Sequence, residues 1–267
     1  MKNVKRYARL YKVFVVQFFK FLVQSKIDFL IGLLGFFLTQ ATGIAFLYLV
    51  FLQIPVFAGW SLEQLIFIYG FAQIPRGIDH LFTDNIWLVA WRLIVNGQFD
   101  RYMLRPMNLF LQIIFEKLQP DALGELLVGF ILIVTSITKG IVILDGAHVL
   151  FFLISMLAGA IVYTAIKLLF ASLAFWMKIS GPVLYTAYQL SDFAKYPSDI
   201  YSRGVRIIIT WVIPFAFVAY LPASYFLKAD VSPWRTIGVE CILAMVFFVI
   251  AYLVFNRGIH VYESCGN

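Results

Sequence analysis

Long apolar runs separated by short polar segments make up most of the chain. No charged residue lies between Asp28 and Glu63, and further apolar runs of similar character recur toward the C-terminus. A helix needs about 20 predominantly apolar residues to cross the hydrocarbon core of a bilayer. The pattern therefore predicts an all-α membrane protein with six transmembrane helices, at residues 29–52, 62–81, 122–138, 148–167, 207–227 and 237–256.

Helix-end signals support several of these boundaries. Ser61-Leu-Glu-Gln64 has the form of a capping box, which marks a helix start. Ser232-Pro233 suits the start of the sixth helix, and Asn256-Arg257-Gly258 suits its end. No internal repeat or low-complexity linker interrupts the chain. Residues 1–267 are therefore interpreted as one membrane domain.

The first 26 residues follow a different pattern. Tyr7, Phe14 and Phe18 are among apolar residues that recur at helical spacing, while Lys5 and Arg9 fall near the opposite face. A basic amphipathic helix with an aromatic face lies in the membrane interface rather than crossing it. An N-terminal interfacial helix is therefore predicted over residues 1–26, either as an anchor alone or as a docking element for a partner.

Composition excludes a soluble domain, and the distribution of charge predicts the topology. Hydrophobic residues make up 62% of the chain and charged residues 13%, against about 25% charged in soluble domains. Seventeen of the 21 Lys and Arg residues fall in the N-terminal segment, in the connections after the second and fourth spans, or at the C-terminus, and three fall on the other side. The positive-inside rule then places both termini in the cytoplasm. The same rule explains the net charge of +7, because the basic residues gather on the cytoplasmic side of the lipid bilayer. A nucleic-acid partner is therefore not predicted.

The sequence offers little catalytic chemistry. It contains no G-x-x-x-x-G-K-[ST] segment, so ATP binding by a P-loop is not expected in this chain. The three histidines lie in different segments without metal-ligand spacing, and two cysteines are too few for a disulfide framework. We therefore predict no catalytic residue, no metal site and no cofactor bound by the chain.

One charged constellation lies within a predicted span. Arg76, Asp79, His80 and Asp84 are spaced by three or four residues and so share a helical face. Ionisable groups at membrane depth often mark a transport pathway. By its position near the end of the helix, the group is predicted to be a cluster at the inner mouth that pairs internally, and a substrate or gating role remains the alternative.

The segment after the second span has the character of a docking element. Asn96-Gly is a turn signal, and Arg105-Pro106 ends any helix that begins near Phe99. A short cytoplasmic helix is predicted here, with Asp100, Arg101 and Arg105 exposed for a soluble partner. An ordinary charged loop is the alternative.

The first span carries a stripe of small residues. Gly32, Gly35, Thr39 and Gly43 recur at three- and four-residue spacing. Small residues let membrane helices approach closely. The stripe is a candidate for contact between subunits, and packing within one subunit is the alternative.

Four short stretches, in this order and spacing, resemble a known family. They are Gly97-Gln-Phe-Asp100 through Leu104-Arg105-Pro106, Lys195-Tyr-Pro-Ser-Asp-Ile-Tyr201, Pro214-Phe-Ala-Phe-Val-Ala-Tyr-Leu-Pro-Ala223 and Tyr262-Glu-Ser-Cys-Gly-Asn267. With the six predicted spans, the chain resembles permease subunits of type-2 ABC exporters over essentially its whole length. Cys265 stands where a small residue such as Ala is expected.

The resemblance implies a multi-pass exporter subunit of the bacterial cell membrane. Two permease subunits, identical or related, would pair and sit on separate ABC ATPase subunits, which would bind ATP and Mg. The loop after span two would couple the permease to the ATPase through Asp100, Arg101, Leu104, Arg105 and Pro106. Plentiful aromatic residues suit an amphipathic or lipid-like substrate. A secondary transporter with helices broken at Pro75 or Pro214, or a structural membrane partner, remains the alternative.

Overall fold

The computed structural model describes Val16 and residues 26–143, 145–228 and 230–264. The described residues form helices joined by short turns, and their only extended pairing is an isolated bridge between Phe57 and Trp60. The predicted interfacial helix over residues 1–26 lies outside the described part, apart from Val16 and Lys26. The helices are α1 Lys26–Gln53, α2 Leu62–Thr83, α3 Asp100–Met103, α4 Leu109–Glu116, α5 Ala122–Thr138, α6 Gly146–Ser172, α7 Ala174–Met177, α8 Gly181–Gln189, α9 Arg203–Ile207, α10 Tyr220–Leu227 and α11 Val239–Val261.

Three helical stretches are long and apolar enough to cross a membrane. They are Phe29–Gln53, Gly146–Met177 and Trp234–Val261. A fourth crossing is possible if Arg203–Val212 and Phe215–Leu227, bent by 74° at the break between them, count as one span. The protein is thus an all-helical membrane protein in its described part, with three or four candidate spans by length and composition.

Two further predicted spans form helices at the expected positions but differ from simple apolar spans. The capping box at Ser61 is confirmed by two hydrogen bonds. The Ser61 hydroxyl group accepts one from the Gln64 backbone N–H, and the Gln64 side-chain oxygen accepts one from the Ser61 backbone N–H. The helix it starts, α2, carries the charged constellation. Helix α5 coincides with the predicted residues 122–138 and has 17 residues, so it is shorter than the other spans.

The prediction of one continuous fifth helix is wrong. Ile213 adopts an extended conformation, with φ −129° and ψ 91°, before Pro214. The proline ring disfavours the helical conformation of the residue before it and supplies no amide hydrogen. The chain therefore leaves one helical segment at Val212 and begins another at Phe215.

Pro75 does not break α2, although the sequence allowed it. It lies inside the continuous helix Leu62–Thr83 and packs against α6. A Cβ placed on Gly159 of α6 would lie 2.9 Å from the Pro75 Cβ. The absence of a side chain at Gly159 gives the proline ring its place between the two helices, so packing supports α2 despite the lost hydrogen bond.

Helices α2 and α5 cross at a similarly close contact. A Cβ on Gly70 would lie 2.6 Å from the Leu132 Cβ, and one on Gly129 would lie 3.1 Å from the Gly70 carbonyl oxygen. Backbone atoms of the two helices therefore nearly touch, as small residues permit in membrane helix pairs. This contact fixes where the charged residues of α2 face α5.

Replacing Gly129 by Leu is expected to destabilise the protein by about 1–3 kcal/mol, because overpacking a close contact forces the helices apart. Thermal unfolding of the purified protein in detergent measures the loss. Gly146→Leu is the matched control, since no heavy atom lies within 4 Å of a Cβ there. Equal midpoints for the two variants would contradict the close crossing.

Candidate functional site

The polar face of α2 lies at a junction of four helices and a turn. Arg76, Asp79 and His80 lie in the last turns of α2, and Asp84 begins the 3₁₀ turn that follows. The side chains from other elements that join them are Glu125 of α5, Thr164 and Lys167 of α6, Tyr188 of α8, and Asp192 of the turn Leu190–Lys195. The predicted constellation is therefore the α2 part of a larger charged cluster.

Lys167 and Asp79 form a fully buried ion pair at its centre. The Lys167 Nζ lies 2.8 Å from Asp79 Oδ2, and both side chains are 0% exposed. The same ammonium group lies 3.4 Å from Asp84 Oδ1. Three hydroxyl groups also donate to the Asp79 carboxyl group, those of Thr83 at 2.5 Å, Thr164 at 2.8 Å and Tyr188 at 3.1 Å. Asp79 thus ties α2 to α6 and α8.

Arg76 does not pair with Asp79, so this predicted contact within α2 is wrong. Its Nη1 donates to Asp192 Oδ1 at 2.8 Å, and its Nε lies 3.6 Å from Glu125 Oε1. The guanidinium carbon also lies 5.5 Å from the centre of the Tyr188 ring. Carboxylates on neighbouring elements, which helical spacing cannot show, take the place of the i,i+3 partner.

The expected contact between His80 and Asp84 is present. His80 Nε2 lies 3.7 Å from Asp84 Oδ2, and its Nδ1 lies 3.5 Å from Glu125 Oε2. Beside this group the structure has a pocket of about 280 Å³. It is lined by Arg76, His80, Asp84, Trp87, Glu125 and Tyr188. We call it the polar pocket.

A second cavity, of about 410 Å³, is almost wholly apolar. It lies between α1 and the segment after α8, and its lining includes Phe46, Leu65, Phe193, Tyr196 and Tyr201. Asp192, the carboxylate bound to Arg76, also lines it. We call it the aromatic pocket; its Asp192 is bonded to Arg76, which lines the polar pocket.

The loop after α2 presents an apolar tip on a buried base. Gly97 makes the turn with φ +65°, and α3 follows as predicted. Phe99 and Tyr102 are 0% exposed, whereas Leu104 is 85% exposed. Phe99 packs edge-on against Phe175, with ring centres 5.2 Å apart. We call residues 97–106 the coupling loop, after the role that the family resemblance implies for them.

The charged residues of the coupling loop differ in their surroundings. Arg101 and Arg105 are exposed, as predicted, and both guanidinium groups lie against the Tyr102 ring. Asp100 is half-buried, accepting hydrogen bonds from the hydroxyl groups of Tyr262 at 2.9 Å and Ser264 at 2.5 Å. Asp100 is therefore less exposed than predicted, because the C-terminal segment binds it; its role toward a partner stays a prediction. Pro106 is exposed.

Tyr102 joins the coupling loop to α4. Its hydroxyl group donates to a Glu116 carboxylate oxygen, and Arg101 Nη2 lies 3.4 Å from the other oxygen. Burial, together with the hydrogen bond to Glu116, raises the pKa of the Tyr102 phenol above its ordinary value. The phenol therefore stays protonated at neutral pH and remains a donor to Glu116.

Replacing Asp100 by Ala removes two hydrogen bonds between the coupling loop and the C-terminal segment. Bonds to a charged acceptor contribute about 1.5–3 kcal/mol each, so amide exchange at residues 259–264 is expected to accelerate at least about tenfold. Hydrogen–deuterium exchange measures this, with Arg105→Ala as the control, since Arg105 only covers the Tyr102 ring. Unchanged exchange in Asp100→Ala would contradict the contact.

The small-residue stripe of α1 divides into two halves. A Cβ on Gly32 would lie 3.1 Å from Asp121 Oδ1, and one on Gly43 would lie 2.8 Å from the Tyr69 hydroxyl oxygen. These two glycines therefore pack within the subunit. Gly35 has no heavy atom within 4 Å of an added Cβ, and Thr39 is exposed. Only Gly35 and Thr39 stay candidates for a contact between subunits.

The sequence analysis missed the partners of the charged constellation. Lys167 ends the predicted fourth span and counts among the 17 basic residues on the cytoplasmic side, yet it lies inside α6, which continues to Ser172. A single Lys in an apolar helix was the available signal, because an ammonium group at depth needs a carboxylate. Glu125 and Asp192 lie on separate elements, and no spacing relates them to Arg76. Among the described residues, no group of three or more His, Cys, Asp or Glu side chains could hold a metal ion.

Comparison with protein families gives a match over most of the chain. The model of a family described as ABC-2 family transporter protein matches residues 37–266, which include α2, the coupling loop and the C-terminal segment that binds Asp100. No curated protein and no solved structure matches the chain.

Proposed function

The chain belongs to the ABC-2 transporter family, and from that premise we propose that it is the permease subunit of an ATP-driven exporter in the bacterial cell membrane. A second permease subunit, identical or related, completes the path. Separate ABC ATPase subunits bind ATP and Mg and drive it through the coupling loop.

The exposed tip of the coupling loop is the observation that carries this proposal. Leu104 is 85% exposed and Met103 47%, although both follow the fully buried Tyr102. Burying a Leu side chain in a partner contributes about 1.5–3 kcal/mol. A loop with a buried base, an apolar tip and flanking Arg101 and Arg105 offers both burial and charged hydrogen bonds to a soluble subunit.

The broken helix pair around Pro214 is the feature closest to a secondary transporter. Such proteins coordinate ions at broken helices. The residues at this break, Phe215, Ala216 and Phe217, are apolar and buried, which suits packing rather than ion coordination. Family membership and this lining favour the ATP-driven exporter.

Cross-linking at the loop tip tests the proposal. In a variant with Cys241 and Cys265 replaced by Ser, Leu104→Cys is labelled with a maleimide photocross-linker in native membranes. We expect an adduct with a chain that mass spectrometry identifies as an ABC ATPase. Ile143→Cys is the matched control, because Ile143 is 79% exposed in the connection between α5 and α6.

Ile143 lies on the predicted outer side, so it should give no ATPase adduct. An ATPase adduct at position 143 would overturn the predicted topology. The absence of an adduct at position 104, in membranes that contain the ATPase, would overturn the coupling role of the loop.

A further inference from the structure

The polar pocket lies against one carboxyl group that its neighbours leave incompletely paired. The Glu125 side chain is 5% exposed, and its Oε2 accepts no hydrogen bond from the described residues. Arg76 Nε lies 3.6 Å from Oε1 and His80 Nδ1 lies 3.5 Å from Oε2. Both distances exceed the 2.7–2.9 Å typical of a charged N–H···O bond. Neither oxygen of Glu125 therefore has a short hydrogen bond among the described residues.

Two of the other carboxylates of the cluster are better paired. Asp192 accepts from Arg76 at 2.8 Å and from Lys195 at 2.7 Å. Asp79 has Lys167 at 2.8 Å and three hydroxyl donors. The incomplete pairing is thus at the wall of the polar pocket, where Glu125 lies.

The charge count of the cluster points the same way. Three permanent cations, Arg76, Lys167 and Lys195, face four carboxylates, Asp79, Asp84, Glu125 and Asp192. The cluster has a net charge of −1 when His80 is neutral and is balanced when its imidazole, whose two nitrogens face Asp84 and Glu125, is protonated. Buried charge without compensation is costly, so the carboxylates favour a cation in the pocket, in competition with the proton on His80, over an anion.

The remaining walls of the polar pocket are aromatic. Trp87 and Tyr188 meet edge to face, with ring centres 5.5 Å apart. Aromatic faces attract an ammonium group and pack against the carbon atoms attached to it. At about 280 Å³, the pocket is at the small end of ligand sites, which span about 300–1,000 Å³. It therefore suits a headgroup rather than a whole amphipathic molecule.

We propose that the polar pocket binds the protonated amine of an organic cation, with the ammonium group donating to Glu125 and the adjoining carbon atoms against Trp87 and Tyr188. The aromatic pocket, whose Asp192 is bonded to Arg76 of the polar pocket, takes the apolar part of the same molecule. This inference rests on the proposed function, because it names the substrate class of the exporter as amphipathic amines.

Binding to the purified permease in lipid nanodiscs, without any ATPase, tests the inference separately from coupling. The probes are 2-phenylethylamine and its neutral analogue 2-phenylethanol, compared by isothermal titration calorimetry. We expect saturable binding of the amine, with a Kd at least tenfold lower than that of the alcohol. Glu125→Gln should abolish this preference while keeping the shape of the side chain.

Glu240→Gln is the matched control. Glu240 is also a buried carboxyl group with one oxygen that lacks a hydrogen bond, but it does not line the polar pocket. Its variant should keep the preference for the amine within twofold. If Glu125→Gln does not fold, Trp87→Leu is measured instead and should weaken amine binding about fivefold, the order expected for loss of a cation–π contact.

Three results would overturn the inference. They are equal affinity for amine and alcohol, no saturable amine binding by the wild-type protein, and unchanged amine binding in the pocket variants. If a proton on His80 already balances the charge of the cluster, the amine and the alcohol should bind with equal affinity. A negative outcome leaves the cross-link between the coupling loop and the ATPase standing, so the two proposals fail independently.

Discussion

Lys167→Met is expected to destabilise the protein by about 3–5 kcal/mol, the range for removing one partner of a buried ion pair. Lys167 is the one cation within 4 Å of Asp79 in the described part of the chain, and both side chains are fully buried. Its removal leaves a buried carboxylate with hydroxyl donors alone. Unfolding of the detergent-purified variant by heat or by denaturing detergent measures the loss.

The double variant Asp79→Asn/Lys167→Met distinguishes the cost of leaving the Asp79 carboxylate unpaired from the cost of losing the Lys167 side chain itself. It removes both charges, so we expect it to recover much of the stability that the single variant loses. Arg206→Met is the exposed control: Arg206 and Asp199 lie 3.3 Å apart but are 45% and 48% exposed, and such pairs contribute about 0–1 kcal/mol. A double variant no more stable than Lys167→Met would contradict the pairing.

Leu104→Asp is expected to reduce ATPase association with the permease by at least about tenfold. The substitution removes about 1.5–3 kcal/mol of apolar burial and adds a charge that the partner must desolvate. The monomer itself should be unaffected, because Leu104 is 85% exposed. Co-purification of the ATPase with tagged permease, followed by ATP hydrolysis in the eluate, measures the effect.

Ile143→Asp is the control, since it places the same charge at a comparably exposed apolar position away from the coupling loop. It should keep normal ATPase recovery. Full recovery with Leu104→Asp would show that the loop tip is not the docking point, whatever the fate of the rest of the loop.

Local signals in the sequence were enough to place most helices. The start of α2 depends on hydrogen bonds between Ser61 and Gln64, three residues apart, so its motif is legible without the fold. The bounds of α5 follow equally from the apolar run that forms it. The turn at Gly97 and the short helix α3 are likewise local.

The two prolines show where local signals end. Pro75 and Pro214 both lie in apolar runs, yet only Pro214 breaks a helix. The difference comes from packing: the Pro75 ring fits against Gly159 of α6, a contact that is 84 positions away in the chain. A pattern that spans one helix contains no information on such a contact.

The candidate site shows the same division. Helical spacing placed Arg76, Asp79, His80 and Asp84 on one face, and the contact between His80 and Asp84 follows from it. Spacing could not supply Lys167, Glu125 and Asp192, because each comes from another element. Long-range pairing decides which charges compensate each other, and so it also decides where compensation is incomplete.

Native mass spectrometry of the complex purified through a tag on this chain tests the central claim most directly. The account predicts an assembly of two permease chains and two ABC ATPase chains, and the permease masses show whether the second is a copy of this chain or a relative. A preparation that contains this chain without any ATPase, from membranes in which the ATPase is present, would contradict the account.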